Sequence, residues 1–534
     1  MSYSLAEAIL LLALSSSVAA LIADIIYKLY FHPLAKYPGP PLARVSCLHA
    51  TYHAWRGDLH LDMWRCHERY GDVVRYKPNS LLFNTAGSLR DIYGHSSNGK
   101  VLKSRMYAVA VHRAPSTVTM RGGKDHARRR RILGQGLSDQ SLRRYEGRIL
   151  RHIDQFCDIM YDKETIGEGQ TVEKEPRDSW SPPLDMSKWT NYLTFDLMSD
   201  IVFDAKYNLL GAERFRYVVD CIDRSNLRMG VLIYLPELTM LRLDRYIFRD
   251  SIKARNRFVK FVTRVVAERL QKTSSADSLG NSDLFAHLAD AKDPETRESF
   301  TTNELAAEST TLIVAGGDTT STAISAVLFY LSRHPDAYRK VVKEVRSTFG
   351  SYDKVKMGAQ LVSCRYLHAC IDEALRMSPP APACLWREVV APAGLVVDGV
   401  HVPHGVDVGM SIYAIQHSER QYTNPFSYHP ERWLEDDGAG SIEKARAAFN
   451  PFSIGARNCL GAGLARAETM LTLARLLWLG DFQVAAQKDL APVGAGNPGA
   501  ASGRHRDHEY QLFEHITAQK QGPWLQFRAR EDLR

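Results

Sequence analysis

The stretch Phe452–Gly461, "FSIGARNCLG", stands directly ahead of a helix-like run, "AGLARAETMLTLARLLWL". A cysteine in a glycine-rich turn before a helix has its sulfur near backbone N–H groups and the helix N-terminus, and both favour thiolate over thiol. Gly455 and Gly461 allow close backbone approach to something flat and large, and Arg457 offers a fixed cation for a carboxylate. Phe452 can stack over the same face. A structural thiol needs none of these surroundings, and a zinc thiolate would need companions nearby. The fold must therefore place Cys459 where its sulfur meets a ligand, unless Cys459 is a buried structural cysteine at a turn.

The other cysteines give it no partner in sequence. Eight are present, at 47, 66, 157, 221, 364, 370, 384 and 459, and none forms CxxC or CxxCH, which argues against zinc ribbons, thioredoxin-type pairs and covalent c-type haem. Scattered singly in a chain without an N-x-S/T sequon, they read as reduced and intracellular, most of them core filler. With 45% apolar and 24% charged residues the chain is globular. Its formal charge of +8 suits an acidic partner surface or anionic lipid. C2H2 spacing and RNP-like aromatic runs are absent from the sequence, so no nucleic-acid partner is expected.

The N-terminus carries a second constraint. Ala8–Ala23, "AILLLALSSSVAALIA", is uncharged, and its apolar character continues past Asp24 to Tyr30. A spanning helix takes about 20 residues. The start, "MSYSLAE", has no positive charge, whereas Lys28, Lys36 and Arg44 follow the apolar run. That asymmetry predicts an uncleaved anchor over residues 1–30 with the bulk of the chain on the cytoplasmic side. A buried core helix is the alternative. "HPLAKYPGPP", within residues 31–42, is a Pro-rich connector expected to be extended and to separate the anchor from a single domain over residues 43–534.

Within that domain the pattern is mainly helical with a small β region. "HERYGDVVRYKPNSLLF" predicts a helix end, a turn at Gly71 and two strands, and residues 122–346 are mostly long helices. Thr301 and Glu304 form a capping box that opens a helix of roughly thirty residues, ended at "HPD". "GLVVDGVHVPHGVDVGMSIYA" predicts hairpins. "APVGAGNPGAASG" reads as a flexible insert; its GxGxxG (Gly494, Gly496, Gly499) lacks the strand–helix context of a nucleotide site.

Three further segments give Cys459 a setting. "AGGDTT", Ala315–Thr320, puts paired glycines in mid-helix, where they cost stability. A local opening there would admit a small ligand and water beside Thr319 and Asp318, the parts of a proton relay. "DEALR" supplies Glu373 and Arg376 on one helical face, and "HPERW" supplies Arg432; a buried carboxylate shared by two arginines is a satisfied ionic cluster. With these, Cys459 reads as a thiolate ligand to haem iron and Arg457 as a propionate partner.

In this order and spacing, FxxGxRxCxG, AGGDTT, ExxR and PERW resemble the cytochrome P450 family of heme-thiolate monooxygenases over essentially residues 30–534. The resemblance implies a P450-type fold, mainly α with a small β region, preceded by the N-terminal membrane-anchor helix. It implies heme b with Cys459 as axial thiolate, Thr319 and Asp318 in oxygen activation, and Glu373, Arg376 and Arg432 as a structural triad. "DHARRRRILGQGLS" matches the family's propionate-binding helix, giving His126 and Arg130, while Arg128, Arg129 and Arg131 read as a solvated basic face. Arg387 in "LWREVV" looks like another propionate partner. "KYPGPPLARVS", "TFDLMSDIVF" and "LKSRMY" most resemble membrane-bound fungal enzymes of secondary metabolism.

The function so implied is insertion of oxygen from O2 into a small hydrophobic molecule, at the endoplasmic reticulum membrane and facing the cytosol. Nothing in the sequence binds flavin or NADPH, so electrons are expected from NADPH through a partner reductase, NADPH-cytochrome P450 reductase. The "MYAVAVHRAPSTVTM" loop, Leu312, Ala315 and "PACLWR" are the expected pocket lining, with Trp386 and Tyr107 for stacking and His112 or Thr117 for polar contacts. Arg113 reads as an exposed loop residue or as an anchor for a carboxylate. This lining suits a neutral, partly aromatic polyketide- or terpenoid-like secondary metabolite. Oxidative phenol coupling by the same heme chemistry is the alternative, and a non-enzymatic heme carrier or sensor a remote one.

Overall fold

The capping box at Thr301 forms as its sequence requires. Thr301 Oγ1 accepts from the Glu304 amide at 3.3 Å, and Glu304 Oε2 accepts from the Thr301 amide at 2.9 Å. With both orphan donors satisfied the helix Thr302–Arg333 runs 32 residues, about 48 Å, across the core. The computed structural model describes residues 5–111, 114–161, 180–273, 283–434 and 441–530. His112 and Arg113, the polar candidates of the pocket loop, lie outside them.

Ile324, Val327, Leu328 and Leu331 of the long helix are fully buried, as are Ile201, Phe203 and Leu476 from the helices around it. Met186–Phe203 packs most extensively against it, tied by Thr190 Oγ1 to Ser325 Oγ at 2.8 Å and by Thr194 Oγ1 to the Gly317 carbonyl at 2.8 Å. Arg365–Met377, which carries ExxR, and Ala462–Leu479, which follows Cys459, pack on its other sides. The helix is continuous through Gly316 and Gly317, so no local opening breaks it. A Cβ at Gly316 would stand 2.6 Å from Met198 Cε, so this glycine serves the crossing of the two helices. Gly317 has nothing nearer than Phe195 at 4.0 Å.

The β structure is small. Val73–Lys77 pairs antiparallel with Ser80–Phe83, the two strands read from sequence. Ser80–Phe83 pairs in parallel with Asp407–Met410, which continues through Arg387–Val389 to Val101–Lys103. The Gly/Pro-punctuated run thus holds one hairpin, Leu395–Val397 with Val400–Val402, and a strand that joins the larger sheet instead of a second hairpin. A further hairpin, Leu512–His515 with Thr517–Lys520, packs on the long helix. The "APVGAGNPGAASG" stretch is laid against residues 504–511 by backbone bonds such as Gly496 N to Arg506 O at 3.0 Å.

The helix Leu5–Ile26, extended by a π-helical turn Tyr27–Phe31, holds an 18-residue stretch with a mean hydropathy of 2.4 that is unburied, and Leu5, Leu10, Leu12 and Leu21 are each at least 60% exposed. That exposure excludes the buried-core-helix alternative; the other long apolar helix, Thr302–Arg333, is the one inside the core. The lower end of the exposed helix is stitched to the rest of the chain. Arg75, fully buried, donates to the Lys28 carbonyl at 2.6 Å, and Arg44 donates to the Leu29 carbonyl at 3.2 Å. The connector is not extended as expected: after the π-helical turn it folds into turns, with Ala35 N donating to His32 O at 2.8 Å and Tyr37 N to Leu34 O at 3.1 Å. Pro41 then opens the short helix Pro41–Val45 at the first position, where a missing N–H costs nothing.

Candidate active site

The loop ahead of Ala462–Leu479 is closed by its own backbone: Cys459 N donates to Phe452 O at 2.8 Å and Asn458 N to Gly455 O at 3.1 Å. Gly455 takes φ +71, and a Cβ there would stand 2.1 Å from the Tyr93 carbonyl oxygen. Its glycine thus answers a neighbouring backbone, not a ligand as expected from sequence. Gly461 has φ −83, and a Cβ there would come 3.9 Å from Cys459 Sγ, an ordinary van der Waals contact, so the residue lies beside the sulfur without the site requiring a glycine. Phe452 is half-buried with the Arg466 guanidinium 5.0 Å from its ring centroid.

Cys459 is the only exposed cysteine of the eight; six are buried and Cys47 is half-buried. Although the residue is accessible, protein crowds its sulfur, and this desolvation pushes the thiol above its ordinary value. The Gly461 N–H and Arg130 pull the other way, as the turn predicts, but they do not win. The turn by itself therefore leaves a thiol at neutral pH, contrary to the sequence expectation. A coordinating metal ion deprotonates such a group outright.

Around this loop the chain gathers cations. Arg457 donates to the carbonyls of Met120 at 2.9 Å and Arg121 at 2.5 Å. Arg387, buried on its strand, donates to the carbonyls of Leu385 and Trp386, each at 3.1 Å. Arg130 donates to the Asn458 carbonyl at 2.8 Å and to its side-chain oxygen. Lys103 donates to Val118 O. Each of these acceptors is neutral, so the positive charges face one another. Burial, then Arg457, Arg130, Lys103 and Arg387, push His126 down to about 3; burial, then Arg387 and Arg130, bring Arg457 down to about 10. A group of cations without a carboxylate partner beside a lone accessible thiol fits a flat metal-bearing ligand with two carboxylates. The haem propionates are such carboxylates.

The neighbouring arginines do not form a solvated face. Arg128 and Arg129 are 5% and 2% exposed; Arg129 pairs with Glu304 at 2.6 Å and Glu308 at 3.3 Å, and Arg128 with Glu304 at 3.4 Å. Arg131 pairs with the buried Asp293 at 2.7 Å. The same Glu308 accepts from Thr117 N at 2.6 Å and Thr117 Oγ1 at 2.8 Å, so Thr117 clasps its loop to the long helix and is not free for a substrate. Trp386 is likewise closed off, fully buried with Lys77 over its ring and its indole N–H on Tyr234. Tyr107 remains half-buried and Ala315 is exposed.

Thr319 and Asp318 are adjacent in sequence but face different partners. The Thr319 hydroxyl donates to the Ala315 carbonyl at 2.6 Å. The Asp318 carboxylate, 8% exposed, accepts from Thr517 on the hairpin, and burial holds it above its usual range while Lys520 and Thr517 draw it down. Two contributors escaped the sequence reading. The hairpin bearing Thr517 and Lys520 shows only as a polar alternation far along the chain. Glu468, on the helix after Cys459, is buried beside Thr320, and that burial lifts it to about 8, so it is neutral at pH 7.

The ionic cluster is assembled as expected. Glu373 accepts from Arg376 Nε and Nη2, both at 2.9 Å, and from Arg432 Nε at 2.9 Å. The Trp433 indole and the His429 amide each add a donor at 3.0 Å, which the motif alone did not reveal.

The sequence model of the Cytochrome P450 family matches residues 37–497. The cytochrome P450 monooxygenase AKT7 of Alternaria alternata is 47% identical over 511 residues, spanning 95% of each chain. The cytochrome P450 monooxygenase poxM of Penicillium oxalicum is 45% identical over 517 residues, covering 97% of this chain and 94% of its own. That of Emericella nidulans, atnE, is 41% identical over 507 residues, 94% and 93% of the two chains. An accessible cysteine in a closed turn, a ring of opposed cations, a buried ExxR cluster and these similarities along the length converge, and the chain belongs to the cytochrome P450 family as a monooxygenase.

Proposed function

We propose that Cys459 is the axial ligand of heme b and that His126, Arg130, Arg387 and Arg457 hold its propionates, in an enzyme that hydroxylates or otherwise oxidises a small hydrophobic secondary metabolite. The observation that carries this reading is the set of cations held only on neutral oxygens beside the one accessible thiol. Bound haem supplies the binding and activation of O2, with thiolate donation favouring O–O cleavage. The chain's own contribution is to steer. Arg457 and Arg387, fixed by carbonyls, orient the ring. Gly461 lies beside the sulfur with its N–H favouring the thiolate, and Thr319 with Asp318 manages protons.

For the substrate, Leu312, Ala315 and Tyr107 present an apolar, partly aromatic surface, which favours a neutral polyketide- or terpenoid-like molecule. Mass spectrometry of product made under labelled dioxygen, with NADPH and NADPH-cytochrome P450 reductase, tests the reading. One label per product is expected; a coupled dimer without label would replace hydroxylation by phenol coupling.

The same reading takes residues 1–30 as an anchor in the endoplasmic reticulum membrane, joined by residues 31–42 to a cytosolic catalytic domain. Leu48, Tyr52 and Trp55 on one helix and Leu241, Tyr246 and Ile247 after another add exposed apolar surface. Deleting Met1–Ile26 leaves the Lys28 and Leu29 carbonyls in place for Arg75 and Arg44. The deleted protein should therefore keep its haem and be stripped from membranes by alkaline carbonate, which the full chain resists. Equal resistance of both would remove the anchor.

A further inference from the structure

Two cavities lie along the side of the long helix that Asp318 faces, and they share Asn191, Val219 and Asp223. The outer one, about 310 Å³, is bordered by Asp185, Lys188, Asp220 and Lys520. The inner one, about 10 Å³, is lined by Phe195, Ile222, Ile313, Gly317 and Asp318 as well as the shared three. That volume is room for one water. Exposure falls inward along the same line: Lys188 and Asp220 are exposed, Asp223 and Lys520 half-buried, Asp318 buried.

The polar contacts bind this line together. Lys520 Nζ donates to Asn191 Oδ1 and to Ser321 Oγ, each at 2.8 Å, and Ser321 Oγ donates to the Asp318 carbonyl at 2.8 Å. Thr517 Oγ1, which donates to Asp318, accepts from Asn226 Nδ2 at 3.0 Å. Three helices and the hairpin thus meet around Asp318 and Lys520, and Asp223, on the helix Tyr217–Tyr234, lines both cavities beside them.

We propose that Asp223 is the proton inlet of this enzyme, taking protons from water in the outer cavity and passing them across the inner cavity to Asp318. In the first transfer a hydronium ion or buffer acid reaching the outer cavity gives its proton to an Asp223 carboxylate oxygen and leaves as water or conjugate base. In the second the Asp223 carboxyl O–H passes a proton through the inner cavity's water to an Asp318 oxygen, which leaves Asp223 as carboxylate, and no electron moves. The inference rests on the role proposed above for Asp318. Asp223 suits the task because burial and the charge of Asp318 raise its carboxyl to about 7, with Lys520 opposing and Asp220 adding to the rise. A group that titrates near the working pH both accepts and releases a proton readily. Asp185 and Lys188 are the remaining charged residues that line the outer cavity.

Two measurements on the purified holoprotein test this. The first needs no turnover: the infrared band of a protonated carboxylic acid, followed against pH in the resting protein. One component of it should titrate near pH 7 and be missing in Asp223→Asn while the bands of other buried carboxyls such as Glu468 and Glu514 remain. That component should shift to lower pH in Asp318→Asn because the repelling charge is gone, and to higher pH in Lys520→Gln. The second follows NADPH oxidation and peroxide release with the reductase and no added substrate. Asp223→Asn should slow NADPH oxidation about tenfold, less than the 10²–10⁴ of a direct proton donor, and Asp223→Glu should restore it. A band unchanged by Asp223→Asn, or wild-type oxidation in that variant while Asp318→Asn is slow, overturns the inlet and spares the relay. Wild-type oxidation in Asp318→Asn overturns the relay itself.

Discussion

Cys459→Ser should abolish the red-shifted absorption of the reduced carbon monoxide adduct and reduce turnover to background. Sulfur is a soft, strongly donating ligand and serine oxygen is not, so the change removes the electronic push while barely altering volume. No other thiol can stand in: Cys66, Cys157, Cys221, Cys364, Cys370 and Cys384 are buried, and Cys47 lies near Lys77, Lys28 and Glu237, in another part of the fold.

The variant also separates two kinds of loss. His126, Arg130, Arg387 and Arg457 remain, so part of the haem should still be bound, now without its thiolate spectrum. Reversing the design, Arg457→Ala together with Arg387→Ala should lower haem content while the haem that stays bound keeps the thiolate band. Retention of that band in Cys459→Ala would place the ligand elsewhere and undo the assignment.

What the sequence made legible was whatever sits in local register. The Thr301–Glu304 box needs residues three apart, and both of its hydrogen bonds are present. Glu373 and Arg376 need one helical turn, and the pairing is bidentate. What the sequence hid depends on partners far along the chain. Arg128 and Arg129 look like a basic run, but the carboxylates that bury them come from Glu304 and Glu308, more than 170 residues on. Gly316 and Gly455 look like ligand clearances until Met198 and Tyr93 are found against them. The tilt of Cys459 toward thiolate failed for a related reason: an N–H and a cation are visible as a motif, whereas desolvation is a property of everything packed around the sulfur.

Glu373→Ala should fail by a different route from Cys459→Ser, losing folded holoprotein before any chemistry is reached. Glu373 and Arg376 are both fully buried, and the carboxylate takes five donors from Arg376, Arg432, Trp433 and His429. Arg376 also donates to the carbonyls of Gln416 and Pro425 at 2.8 and 2.7 Å, so it is pinned and cannot swing to water when its partner goes. An uncompensated buried charge of this kind costs about 3–5 kcal/mol. That is a large share of the roughly 5–15 kcal/mol that holds a native protein. Arg432→Ala should cost clearly less, because its side chain is 10% exposed and the Glu373–Arg376 pair stays intact. Acid should mimic the severe variant. Burial raises the Glu373 carboxyl, but Arg376 and then Arg432 outweigh it and hold the group below its ordinary value. A depressed carboxylate contributes fully above its unfolded value, about 4.3, and its contribution is lost as pH falls through the folded value. Haem release on acidification should therefore set in only below the ordinary glutamate range in the wild type, as Glu373 protonates. The measurements are haem per chain after purification and the thermal melt of each variant. If Glu373→Ala accumulates fully haem-loaded and melts with the wild type, the five donors around that carboxylate do not hold the fold together.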